Sequence, residues 1–442
     1  MKKKAVCLAL AACMILGMTA CGKISTGNDD TSDESGDKVK ISFLSRYAND
    51  DNRRDQYYLE KVDEFLEENP NVEIEDLSIT DSSSYMSKMK TMIAAGDVPD
   101  LFICSYEMPR YEMAKNGTIA NLEDIINSSD WTGPSDSKWF EGYTFESEGL
   151  DGIYGIPNAL GTAPLFINKK IFSDLGLEIP KTWEDLEAAA PTLIDAGITP
   201  LTVSAKGTDK CTLLFTQLAI KMYGPDIIDK FKAKDVDWTD DELMSVLKKY
   251  KQLIDEGIFG ANAVSYGFDN SMADFSQGKA AMLLEYSFTL PNIQDMDIEP
   301  DITCVNFLNF EDKPEYENIW YTDTYEGFCI GAKPGTPEYD AAVGLLSKLL
   351  SQDTFNGCAE VMGGGVYPLD VQYDESKVCT FMKEFADAYK SCETISTILP
   401  AYIGDATLSD LTASEMQTLF VGRSPADVAK ALNTEYEKVL QK

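Results

Sequence analysis

VKISFL at residues 39–44, VEIEDL at 72–77 and LFI at 101–103 are the segments on which the reading of the fold turns. In the first, Val39, Ile41 and Phe43 alternate with Lys40 and Ser42, the period-two pattern of a strand. Leu59, Val62, Phe65 and Leu66 then share one face of a helix that stops near Asn69-Pro70. Val72, Ile74 and Leu77 predict a second strand. Met86, Met89 and Ile93 predict a second helix, ended by Gly96. Leu101-Phe102-Ile103 follows Asp97-Val98-Pro99-Asp100 as a short apolar run, the mark of a buried parallel strand. Strand, helix, strand, helix, strand is a right-handed α/β unit.

Downstream the chain is rich in helix signals. Thr182 with Asp185, and Thr239 with Glu242, have the spacing of capping boxes. The second leads a face of Leu243, Val246, Leu247, Tyr250 and Ile254, closed by Gly257. Thr336-Pro337 and Ser424-Pro425 place proline at a first helical position. These periodic apolar faces predict core rather than interaction surface. There is no internal repeat of fixed period.

A chain of 442 residues is long for one core and predicts two lobes. Lys plus Arg number 38 against 74 Asp plus Glu, a net charge of −36. So acidic a chain repels phosphate backbones, which argues against nucleic-acid binding. The sequence holds no histidine, which excludes Ser-His-Asp and Cys-His nucleophile systems and imidazole zinc sites. No phosphate-binding glycine loop and no DxDxDG calcium loop occurs, so no cofactor and no metal is expected. Gly363-Gly364-Gly365 reads as a tight turn.

The first 37 residues stand apart. Lysines at 2–4, an apolar run from Ala5 to Ala20 and small residues at its end read as a secretory signal peptide over 1–20. The run is too short for a stable transmembrane helix. Thr19-Ala20-Cys21-Gly22 resembles a bacterial lipoprotein signal, which implies cleavage before Cys21 and lipid (palmitate among it) on its thiol. GKISTGNDDTSDESGD at 22–37 lacks the apolar content to fold and reads as a flexible acidic tether. Its reach is on the order of 20–24 Å. Seven cysteines remain beyond Cys21, an odd and scattered set without a CxxC pair. That pattern fits mostly reduced, buried thiols, although an exported chain would usually pair them.

Four ordered stretches together resemble the extracellular solute-binding proteins of ABC importers, in the family that delivers sugars. The first is Ala94-Ala95-Gly96-Asp97-Val98-Pro99-Asp100-Leu101-Phe102, and the second Gly117-Thr118-Ile119-Ala120-Asn121-Leu122. The third begins Asp151-Gly152-Ile153-Tyr154-Gly155-Ile156-Pro157. It continues through Phe166-Ile167-Asn168-Lys169, Gly176-Leu177, Pro180-Lys181-Thr182-Trp183 and Gly197-Ile198-Thr199-Pro200. The fourth is Phe275-Ser276-Gln277-Gly278-Lys279-Ala280-Ala281-Met282. Ile167 departs from the family's usual tyrosine, and Glu285-Tyr286-Ser287 from its Gly-Ser/Pro-Trp. The resemblance implies a periplasmic-binding-protein-like fold of type II, two α/β lobes joined by a hinge around a ligand cleft. It implies that residues 38–157 and 308–368 form one lobe, and 158–307 and 369–442 the other. It also implies binding without turnover, a carbohydrate ligand, ABC permease partners, a monomer, and a place on the outer face of the cell membrane, anchored by lipid on Cys21.

A sugar site needs aromatic rings for the C–H faces of a pyranose and planar polar groups for its hydroxyls. The loop after the first strand offers Arg46 and Tyr47, and the end of the third strand Tyr106 and Glu107. The crossing after Pro157 offers Asn158 and Thr162, and the strand after Met282 offers Glu285 and Tyr286. Trp320, Asp323, Tyr325 and Glu326 lie in a stretch dense in both kinds of group, and Gly365 and Tyr367 near a last crossing. Each residue alone also fits a helix cap or a half-buried surface aromatic, and Trp183 fits a helix anchor. Two other readings compete. A secreted glycoside hydrolase would need two carboxylates about 5–9.5 Å apart, which Glu285 with Asp323 or Glu326 could supply. A sugar-sensing lipoprotein would share the fold and dock to a receptor.

Overall fold

The computed structural model describes residues 38–49, 52–105, 108–207, 209–323, 326–392, 394–396 and 406–440. The expected signal peptide, Cys21 and tether lie outside the described residues.

The first sheet grows from β1 (Val39–Leu44), which pairs in parallel with β2 (Val72–Asp76) and β3 (Leu101–Ser105). Val39 stands opposite Val72, and Phe43 opposite Leu101. The crossovers are α1 (Arg53–Glu68) and α2 (Ser82–Ala95). Both have side-chain N-caps: Asn52 accepts from the Arg54 and Asp55 N–H groups, and Asp81 from that of Ser84. Gly96 ends α2 in the left-handed conformation, at φ +68°. The buried face of α1 is Tyr58, Val62 and Phe65, so the inward residue of its second turn is Tyr58 rather than Leu59.

The sheet is completed by β4 (Ile156–Pro157) and β11 (Glu326–Ile330), in the order β2-β1-β3-β11-β4. β11 runs antiparallel to both its neighbours, so the sheet is mixed. The second sheet is also mixed, with β6 (Leu165–Asn168), β7 (Thr199–Thr202), β8 (Ala280–Leu284) and β9 (Ile302–Val305) in the order β7-β8-β6-β9. Only β7 and β8 pair in parallel there. A small ladder joins β5 (Gly161–Thr162), β10 (Ile319–Asp323) and β12 (Thr394–Ser396).

Each large sheet has its own core. Ile41, Phe43, Phe102, Ile156, Phe328 and Leu346 belong to one, and Leu165, Trp183, Leu201, Leu218, Leu247 and Met282 to another. The other face of the second sheet is closed by Phe381, Met382 and Phe385 against Phe166, Leu283 and Ile302. Phe307, Leu308, Phe310, Ile319 and Tyr321 pack into the second core. The stretch after residue 308, expected in the first lobe, thus still packs on the second core as far as Tyr321.

Two crossings run side by side as an antiparallel ribbon. Thr322 pairs with Thr162 and Asp323 with Gly161 on one side, and Gly327 with Pro157 and Phe328 with Ile156 on the other. Gly327 is required by that closeness, since a Cβ there would meet the Tyr143 hydroxyl and the Ile156 carbonyl. All seven described cysteines are free and six are buried. No described helix is long and apolar enough to cross a membrane.

Candidate functional site

Beside the ribbon lies a cavity of 40 Å³, lined from both sheets' territories. The loop after β1 contributes Tyr47, and the first turns of α1 contribute Arg54 and Tyr58. Asn158 to Leu160 come from the β4–β5 crossing, Ser287 and Phe288 from the turn after β8, and Gly364 to Tyr367 from the glycine turn. Gly364 and Gly365 hold φ of +124° and +141°, a path that bars a β-carbon.

One wall is ordered by stacking. The rings of Tyr47 and Tyr58 lie 4.3 Å apart and 3° from parallel. Asn158 Nδ2 donates to the Tyr47 hydroxyl at 2.7 Å, and the Tyr58 hydroxyl donates to the Asn158 carbonyl at 3.4 Å. These three side chains clamp the crossing to the first core. Burial pushes the phenols of Tyr47, Tyr58 and Tyr367 well up, so they stay neutral hydrogen-bonding groups. The Arg54 guanidinium sits 5.4 Å above the Tyr47 ring. Arg46 Nη1 pairs with Glu326 Oε1 at 2.6 Å, tying the loop after β1 to the first residue of β11.

Ser287 and Phe288 line the opposite side, and behind them, outside the lining, lies a buried polar cluster that follows β8. Glu285 is buried, accepts from Ser204 Oγ at 3.0 Å and lies 3.2 Å from Lys210 Nζ. Burial raises its carboxyl, against the pull of Lys210 and the Ser204 hydroxyl. Lys210 also meets Asp209 and sits 4.1 Å from the centre of the Tyr286 ring. Tyr286 and Phe288 are 5.9 Å apart and tilted by 31°, and Phe288 is 43% exposed. That leaves a large apolar ring free at the cavity mouth.

Of the residues expected to bind ligand, Tyr47, Asn158, Gly365 and Tyr367 come together in the cavity lining. Arg46 and Glu326 meet one another beside the ribbon. Three expectations are corrected. Trp320 is a core residue, packed edge-on against Tyr389 and near Phe385. Thr162 is buried and its hydroxyl is spent on the Tyr321 carbonyl at 2.6 Å. Glu285 is an internal ion-pair partner rather than an open hydroxyl acceptor. Tyr106, Glu107 and Tyr325 lie outside the described residues, and only the backbone of Asp323 is described. Sequence reasoning missed Arg54, Tyr58 and Phe288. Arg54 and Tyr58 are an i, i+4 pair on α1, in the turns where Leu59 was read as inward in place of Tyr58. Phe288 lies two residues beyond Tyr286 and carried no pattern of its own. Among the described residues no cluster of three or more Cys, Asp or Glu could hold a metal ion.

The comparisons with known proteins agree with this architecture. The multiple sugar-binding protein of Streptococcus mutans is 24% identical over 302 residues, 66% of this chain and 68% of that one. A binding protein of Brucella abortus is 25% identical over 241 residues, and the match spans 54% of this chain and 56% of its own length. The solved structure of a chitin oligosaccharide binding protein superposes with a TM-score of 0.77 at 20% identity, over 91% of this chain and 99% of that one. At that identity the likeness speaks for the fold. The sequence model for bacterial extracellular solute-binding proteins matches residues 49–303, more than half of the chain, and the chain belongs to that family.

Proposed function

We propose that this protein captures a sugar or oligosaccharide between its two α/β halves and hands it to an ABC importer, without chemical turnover. The observation that supports the reading best is the cavity beside the crossing ribbon, where rings and neutral hydrogen-bonding groups from both halves converge. Tyr47, Tyr58, Tyr367 and Phe288 supply aromatic surface, and Asn158 and Ser287 supply amide and hydroxyl groups. Such a lining suits a molecule with C–H faces and hydroxyl edges. The named ligands of the relatives, multiple sugars and chitin oligosaccharides, point the same way. The carboxylate pair that hydrolysis would use is weakened as a candidate, because Glu285 is engaged by Lys210 and Ser204, and Glu326 by Arg46.

The cavity is too small for a pyranose. A volume of 40 Å³ has room for a few water molecules, each needing about 10–15 Å³, and not for a sugar ring. Entry of a sugar then requires the halves to part. The test is calorimetric titration of the purified protein with mono- and oligosaccharides, followed by product analysis. Saccharide binding with unchanged sugar is the expected result, and Phe288→Ala or Tyr286→Ala should weaken it roughly tenfold, which is ~1.4 kcal/mol. Protein-dependent cleavage of the sugar would overturn binding without turnover.

A further inference from the structure

We infer that the saccharide this cavity takes carries a carboxylate, as a uronic acid or an oligosaccharide containing one; the inference rests on the sugar-binding reading above. Among the described residues that line the cavity there is no Asp and no Glu, and Arg54 is the only charged one. This is notable in a chain with 74 acidic residues against 38 basic ones. A neutral sugar presents hydroxyl protons and is well served by carboxylate acceptors, which the described lining lacks.

Arg54 has donors to spare. Its ion pair is with the adjacent Asp55, at 3.5 Å, the far limit of a hydrogen bond. Its Nε is buried without a hydrogen-bond partner. Glu326, another carboxylate of this region, is held at 2.6 Å by Arg46. The Tyr47 ring lies under the guanidinium, 5.4 Å from its central carbon, and helps hold it at the cavity. Arg54 also stands in the first turn of the 16-residue helix α1, whose positive end adds to the attraction for an anion. A guanidinium so placed matches a carboxylate with two parallel hydrogen bonds, a geometry that a lysine cannot copy.

The experiment compares galacturonic acid and its oligomers with the methyl esters of the same sugars and with the matching neutral galactose compounds. Titration at low and at moderate salt gives the affinities. The acid form should bind at least tenfold more tightly than its methyl ester, with an advantage that shrinks as salt rises. In Arg54→Gln the acid and the ester should bind alike, and Arg54→Lys should recover only part of the difference. The ester comparison needs no altered protein, so it stands even where a substitution disturbs folding. Equal binding of acid and ester, or tighter binding of the neutral sugar, would overturn the carboxylate while leaving the sugar-binding reading intact. An acid preference that survives in folded Arg54→Gln would overturn the role of Arg54. Failure of every saccharide to bind would remove both readings.

Discussion

At the residue scale, Tyr47 belongs to the first core and also lines the candidate cavity. Its ring stacks on Tyr58 while its hydroxyl accepts from Asn158 in the crossing. Tyr47→Phe keeps the stack but leaves a buried amide N–H without that acceptor, a cost of about 1–3 kcal/mol. Denaturant unfolding should show a lower midpoint with an unchanged slope, and an unchanged midpoint would mean that Asn158 finds another acceptor. That Tyr47 and Asn158 meet in one cavity was legible from the sequence, because loops at strand ends and crossings converge at the carboxyl ends of strands in an α/β protein. Trp320 was misread for a physical reason. It lies on β10, whose alternate residues enter two different cores: Ile319 and Tyr321 on one side, Trp320 on the other. A strand buried on both faces offers no open aromatic, and local composition carries no sign of that. Glu285 was misread likewise, because its partners Lys210 and Ser204 are 75 and 81 positions away in the chain.

At the scale of elements, start and stop signals were the most legible part. The capping box of Thr182 with Asp185 forms, and Thr336 caps the helix Pro337–Leu349. Thr239 does not cap. Its hydroxyl turns back to Asp237, and the helix begins one residue later, at Asp241. Strand direction was not legible, since it depends on which crossover a chain takes and not on the residues of the strand. The entry to β10 illustrates a long-range anchor of that kind. Buried Lys221, on the helix Asp209–Tyr223, donates to the carbonyls of Tyr316, Glu317 and Ile319 at 2.8, 3.0 and 2.9 Å. Asn306 also donates to the last two, so Lys221→Met strips its side-chain donor from the Tyr316 carbonyl alone. The expected loss is about 1–3 kcal/mol. Burial pulls the ammonium from 10.5 down to about 7. Between those values the unfolded chain binds more protons than the folded one, so wild-type stability gains a rising contribution with pH. Lys221→Met lacks it, and its deficit should widen from pH 7 to pH 10 in denaturant melts. A deficit that does not vary with pH would mean that the three carbonyls keep Lys221 charged.

At the scale of the whole molecule, attachment and closure each carry a prediction. The Met18–Gly22 pattern motivates a lipid on Cys21, joined to the body by an acidic tether. Cys21→Ser should shift the protein from the membrane fraction to the medium, and unchanged membrane association would refute the anchor. Closure is motivated by the crossings. Asn158–Leu160 join the two halves, β10 and β11 lie in different sheets, and a third passage lies between Val371, packed on the first core, and Val378 in the third. A few short connections between separately packed cores can bend without breaking either core, which is the construction of a hinge. The cavity between them is smaller than the proposed ligand, so an open form is expected to be populated before binding. A sugar that touches Tyr47 and Asn158 on one side and Phe288 on the other favours the closed form by the contacts that only closure supplies. The ligand-free protein in solution should therefore scatter as a mixture that includes the open form, and saturation with a true ligand should lower the radius of gyration. Small-angle scattering measured on the same sample before and after titration decides it. An identical curve at full occupancy would mean that the sugar enters without a change in lobe separation, and the ribbon would then be a rigid strut rather than a hinge.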